Sequence, residues 1–231
     1  MGTIPVHYIF RSGDAEQQYP LELDEKELSI VAPEVRDGPD WARLAWHQCP
    51  NCPLDPETTE WCPVALRLAD LQPLFEHLIS WQELDVEVVT EQRRVITRTT
   101  AQRAISAMMG LLMPVSDCPH TRFFRPMARF HLPFSSEEET IYRSVSMYLL
   151  GQYFVRQADG DADEGLEGLN RLYAQLQEIN QHIAARLRDG VTGDSMINAL
   201  VVLDIMARAL PWAIEDSVEE LRHLFEPYLE E

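Results

Sequence analysis

The chain carries four cysteines, Cys49, Cys52, Cys62 and Cys118, and each is followed by a proline: Pro50, Pro53, Pro63 and Pro119. Their spacing is C-x2-C-x9-C-x55-C. Four thiolates are the ligand count of one tetrahedral metal ion or one cubane iron–sulfur cluster. Proline pushes the residue before it into extended backbone. It also removes the N–H just past the sulfur and stiffens a loop that has to hold a ligand. At Cys62 the effect is sharper. Pro63 suits the first position of a helix and Cys62 its cap, which places the sulfur at a positive helix end that favours the thiolate.

Several local resemblances bear on this site. "CPNC", residues 49–52, resembles the knuckle of zinc ribbons, in which a glycine commonly follows the second cysteine. Here that position is Pro53, and proline cannot adopt the positive φ that such a glycine supplies. A ribbon also needs a second C-x2-C, which Cys62 and Cys118 do not form. The same four residues resemble a thioredoxin-type redox pair of the glutaredoxin kind, but "WARLAWHQ" before them is not the apolar strand that fold requires. Cys-Pro dipeptides resemble haem-regulatory motifs, though one haem needs one of them and not four. Proline after a ligating cysteine is also similar to bacterial ferredoxins. A pair followed by single cysteines fits a [4Fe-4S]-type cluster better than Zn2+, which stays as the alternative. Buried, inert cysteine is the plain structural reading.

Residues around the cysteines extend the candidate site. His47 and His120 lie two positions from Cys49 and Cys118, close enough to replace a ligand or support one by a hydrogen bond. Arg122, Arg125, Arg129 and His131 form a basic group beside Cys118, suited to neutralising an anionic cluster or an anionic ligand; the ordinary alternative is pairing with the chain's own carboxylates. Trp46, Trp61, Phe123 and Phe124 are expected to keep water away. "DGDADEGLEGLN" resembles a calcium loop through Asp159, Asp161 and Asp163, but Glu164 and Asn170 stand where glycine and glutamate belong. Met108, Met109, Met113 and Met127 read as core packing. Serine-hydrolase, phosphate-loop and dinucleotide signatures do not occur.

The elements that position these residues are legible from periodicity. Ile4, Val6, Tyr8 and Phe10 alternate, as do Tyr19, Leu21 and Leu23, which predicts a hairpin across "RSGDAEQQ"; "LSIVA" reads as a third short strand. A helix is expected from Pro63, broken at Pro73. "ELDVEVVTEQRRVITRTT" predicts two strands, and "AQRAISAMMGLLM" a helix ended by Pro114. "SDCPHTRFFRPMARFHLPF" reads as irregular. Beyond residue 136 the pattern is helical: a Ser-capped acidic start, then a stripe of Leu166, Leu169, Leu172, Leu176, Ile179 and Ile183 ending at Gly190. An all-round apolar helix follows, read as buried and closed by Pro211, and then an amphipathic last helix. The expected fold is α+β: an N-terminal β-hairpin or small antiparallel sheet with a Cys-Pro loop, followed by a C-terminal helical bundle. The expected division is 1–135, β-rich and Cys-containing, and 136–231, helical, packed as one unit with "ADGDADEG" as the internal joint.

Composition narrows the class of function. A formal net charge of -19, from 38 acidic and 19 basic residues, repels phosphate backbones and argues against nucleic acid. It suits a protein partner with a basic surface. No apolar run reaches the roughly 20 residues of a membrane span, and the N-terminus lacks signal-peptide character, so a cytoplasmic setting is expected. In that reducing compartment four cysteines point to metal or redox chemistry. Three functions follow: a cluster protein with a redox, sensing or structural role; a structural zinc protein whose helical half is an interaction module; and an enzyme taking an anionic substrate at the arginine group.

Overall fold

The computed structural model describes residues 2–31, 37–163 and 165–229. The fold is α+β, with a four-stranded antiparallel sheet at the N-terminus and a mostly helical remainder. The strands are β1 (Thr3–Ser12), β2 (Ala15–Asp24), β3 (Glu83–Thr90) and β4 (Arg94–Thr100), in the order β2-β1-β3-β4. The helices are α1 (Pro63–Ala69), α2 (Gln72–Phe75), α3 (Ala101–Leu112), α4 (Arg125–Arg129), α5 (Glu137–Gln157), α6 (Glu167–Gly190), α7 (Ser195–Leu221) and α8 (Glu226–Leu229). Two compact units result: Met1–Phe134 with Glu178–Leu203, and Ser135–Gln177 with Asp204–Glu231. α6 and α7 each contribute a segment to both.

The first unit is built on the hairpin. Ser12 faces Ala15 across a two-residue turn. Gly13 sits there at φ 58, the conformation a glycine-first hairpin turn requires. The turn is thus shorter than the polar run around it, because Glu16 to Gln18 continue the ladder. Ile4, Val6, Tyr8 and Phe10 are buried together with Leu21, Leu23, Leu84, Val86 and Val88. That alternation is one sheet face turned to a core. Phe75 of α2 meets Phe10 edge-on at 4.9 Å, and α3 packs on β3, β4 and α1. Met108, Met109 and Met113 are core residues. The expected break falls just before Pro73: α1 ends at Ala69, and Pro73 sits in the first turn of α2.

Some expectations change. "LSIVA" yields a single bridge, Leu23 to Ile30, and Ala32 lies outside the described residues. The stretch expected to be irregular holds a 3-10 turn, Arg122–Phe124, and then α4, since Pro126 fits the first turn of a helix. α7 runs on through Pro211 to Leu221. It is not buried all round, because Val201 and Ile205 are exposed.

In the second unit, Ser136 and Glu139 form a capping box at the start of α5, with Glu139 N–H donating to Ser136 Oγ at 3.1 Å and Ser136 N–H to Glu139 Oε2 at 2.7 Å. Asp163 accepts from Tyr148 Oη at 2.6 Å and from the Gly168 and Gly165 amides. These donors hold its carboxyl well below the usual carboxylate range and occupy the oxygens a calcium loop would need. Glu164 lies outside the described residues. Gln177 Nε2 donates to Ala207 O at 3.1 Å, joining α6 to α7.

Candidate metal centre

Three of the cysteines sit on one closed loop. Its neck is backbone: Cys62 N–H donates to Ala42 O at 2.8 Å, and Leu44 N–H to Glu60 O at 2.8 Å. Arg43 and Trp61 form an antiparallel bridge between them. At the tip, Cys52 N–H donates to Cys49 O at 3.0 Å and Gln48 Nε2 to Leu54 O at 2.9 Å, so the first two cysteines flank one tight turn. Cys62 stands at the end of the loop as the cap of α1, extended at φ -68 and ψ 119, with Pro63 opening the helix. That is the arrangement its Cys-Pro pair predicts.

Cys118 reaches this loop from α3. Met113 O accepts from the buried hydroxyls of Ser116 at 2.7 Å and Thr121 at 2.6 Å. Asp117, at φ 72, is held by Arg125 Nη2 at 2.6 Å, while Arg125 Nε donates to Pro114 O at 3.3 Å. The contact across is made by His120, whose Nε2 donates to Asn51 O at 2.8 Å. Asn51 lies between Cys49 and Cys52, so the segment bearing the fourth cysteine docks on the turn bearing the first two.

The electrostatics agree with this placement. Burial pushes the Cys49 thiol up to about 12, and Cys62, Cys52 and Cys118 add to the rise. Burial raises Cys62 as well; Arg186 and the first-turn amides of Ala65 and Val64 oppose that rise, although Cys62 makes no capping hydrogen bond. All four cysteines are free thiols and half-buried. The neighbouring sulfurs therefore disfavour ionisation of Cys49, as groups of like charge do. Among the described residues, no group of three or more His, Cys, Asp and Glu stands in an arrangement that could hold a metal ion.

Of the flanking candidates, His120 bridges the two cysteine segments and Arg125 braces the backbone before Cys118. His47, at φ 46, turns to Asp189 at 2.7 Å. Arg122 and Arg129 stack on Phe123 and Phe130 at 5.8 and 5.6 Å, and His131 Nε2 pairs with Tyr8 Oη at 2.6 Å. The expected aromatic shield is incomplete. Phe124 is buried, but Trp46 and Phe123 are 43% and 49% exposed.

Sequence reasoning missed Arg186. Only 1% exposed, it donates from Nη1 to Trp41 O at 3.0 Å and Arg43 O at 2.6 Å, and from Nη2 to Leu44 O at 3.0 Å. Burial lowers its pKa from the ordinary arginine value, and Cys62, Cys49 and Cys52 oppose that fall. A signal was present. The stripe Leu169, Leu172, Leu176, Ile179, Ile183 steps by three and four, and its next position is Arg186. A charge on the buried face of a helix needs a reason.

Residues 4–226 match the model of the family described as Domain of unknown function (DUF6901), and the chain belongs to that family. No curated protein matches the chain, and no solved structure does.

Proposed function

We propose that this DUF6901 chain is a cytoplasmic metal-binding protein whose Cys49, Cys52, Cys62 and Cys118 hold one [4Fe-4S]-type cluster, in a redox, sensing or structural role. One observation carries the reading: three of the cysteines lie on one loop closed at its neck by backbone bonds, and His120 joins the segment of the fourth to the Cys49–Cys52 turn. Four soft sulfur donors suit iron–sulfur and zinc sites, and the cysteines are free, the state a reducing compartment maintains. When bound, such a cluster supplies one-electron chemistry. Ligation by four cysteines leaves no open position for a substrate, so the protein's own part is to bind, orient and insulate. Net charge -19 favours a partner with a basic docking face over nucleic acid.

Zinc is the second reading, because the Cys49–Cys52 turn is a chelating pair that it accepts equally well; the helical half is then an interaction module. Purification without oxygen separates the two. The cluster predicts brown protein with broad absorbance at about 400 nm and several iron and sulfide per chain. Colourless protein with one zinc overturns the cluster in favour of zinc. Protein without either metal rejects the site altogether.

A further inference from the structure

One face of α6 grips the neck of the cysteine loop. His182 Nδ1 donates to His47 O at 3.2 Å, Arg186 takes the carbonyls of Trp41, Arg43 and Leu44, and Asp189 pairs with the His47 ring. These residues step by four and three, one side of a helix. Gly190 lets the backbone come this close, since a β-carbon there would overlap the Trp41 ring. The carbonyl between those of Trp41 and Arg43, that of Ala42, receives the Cys62 N–H at 2.8 Å.

Arg186 is the exception on this face. It is a buried cation in a chain with 38 acidic residues, yet among the described residues no carboxylate pairs with it. Its partners are three neutral carbonyls, and its Nε is buried without a hydrogen bond. A buried guanidinium without a counter-charge is strongly unfavourable. The carbonyls it holds flank the Ala42 carbonyl that receives the Cys62 N–H, and Cys62, Cys49 and Cys52 are the acidic groups that oppose the effect of burial on its charge.

We infer that Arg186 is the resident counter-cation of the cysteine site, offsetting one negative charge of the metal-bound thiolates while its carbonyl bonds position the segment that holds Cys62. The inference rests on the metal-binding reading above. A cation beside a one-electron centre favours its reduced form, which carries one more negative charge. Arg186 therefore sets the potential as well as the shape of the site.

The test compares full-length wild type, Arg186→Gln and Arg186→Lys, purified without oxygen and titrated with dithionite as the electron donor. Gln removes the charge, and Lys keeps it without the planar fork. The expected result is a reduction equilibrium at least about tenfold less favourable in Arg186→Gln, ~59 mV lower for one electron, with most of the shift recovered in Arg186→Lys. A potential unchanged in Arg186→Gln, or displaced equally in both variants, overturns the inference and leaves the cluster standing. Should Arg186→Gln fail to fold or load, Arg186→Lys decides: a loaded site near the wild-type potential supports the charge role, and failure like that of Gln refutes it. If the wild type holds zinc, the cluster reading falls. The counter-cation is then read by chelator competition, with zinc lost at least about tenfold more readily from Arg186→Gln and retention restored by Lys. Wild type without metal overturns both.

Discussion

His120 is the side chain that ties the most distant cysteine to the others. Its hydrogen bond to Asn51 O links the Cys118 segment directly to the Cys49–Cys52 turn. Removing it in His120→Ala should cost about 1 kcal/mol of stability. It should also speed loss of metal to a chelator, with little change in far-ultraviolet circular dichroism. Metal retention equal to wild type would show that the bridge is incidental. Cys49 makes a pH prediction at the same scale. Its folded thiol is raised to about 12, whereas an unfolded cysteine ionises near about 8.5. Between those values the unfolded state has lost a proton that the folded state keeps. Stability of the metal-free chain must therefore fall as pH rises through that window. Urea midpoints at successive pH values measure the slope, and Cys49→Ser should flatten it. Metal has to displace the same proton, so loading releases protons and tightens as pH rises.

At the scale of elements, the site depends on α6 lying close against the loop. Gly190→Ala places a methyl group into the Trp41 ring and should destabilise the fold by about 1–3 kcal/mol, the usual range for overpacking. Thermal unfolding measures it, and an unchanged midpoint would mean that the ring moves aside freely. The elements themselves were largely legible in the sequence. Alternating Ile4, Val6, Tyr8 and Phe10 name a sheet face because a two-residue period leaves few other options. Ser136 with Glu139 names a helix start because the capping chemistry is local. Cys62 and Pro63 were legible for the same reason. What failed was non-local. Pro211 reads as a stop, yet α7 passes through it, so the stop signal of one proline is overridden by the helix around it. The exposure of Trp46 could not be read from its neighbours, since burial depends on what other segments bring. Arg186 was hidden differently. The periodicity marked its position, but its partners are backbone carbonyls more than a hundred positions away, and no spacing rule records those.

For the whole molecule, charge and topology set the terms. A net charge of -19 repels itself, and salt screens that repulsion within about 10 Å at 0.1 M. The thermal midpoint should therefore rise as sodium chloride is added from low ionic strength, and a midpoint that falls would place the dominant charge interactions in ion pairs instead. Among the described residues, no helix is long and apolar enough to cross a membrane. The larger unit combines Met1–Phe134 with Glu178–Leu203, and α6 holds the neck of the cysteine loop through Arg186, so the candidate centre depends on the tertiary fold and not on one motif. Its claim to be a single site rests on Cys118, which 55 residues separate from Cys62. The most direct measurement is the metal and acid-labile sulfide content of wild type and Cys118→Ala, both purified without oxygen and both folded by circular dichroism. One four-cysteine site predicts several iron and sulfide per chain in the wild type and their near-complete loss in the variant. Equal metal content in the two proteins would contradict it, because Cys118 would then stand outside the site.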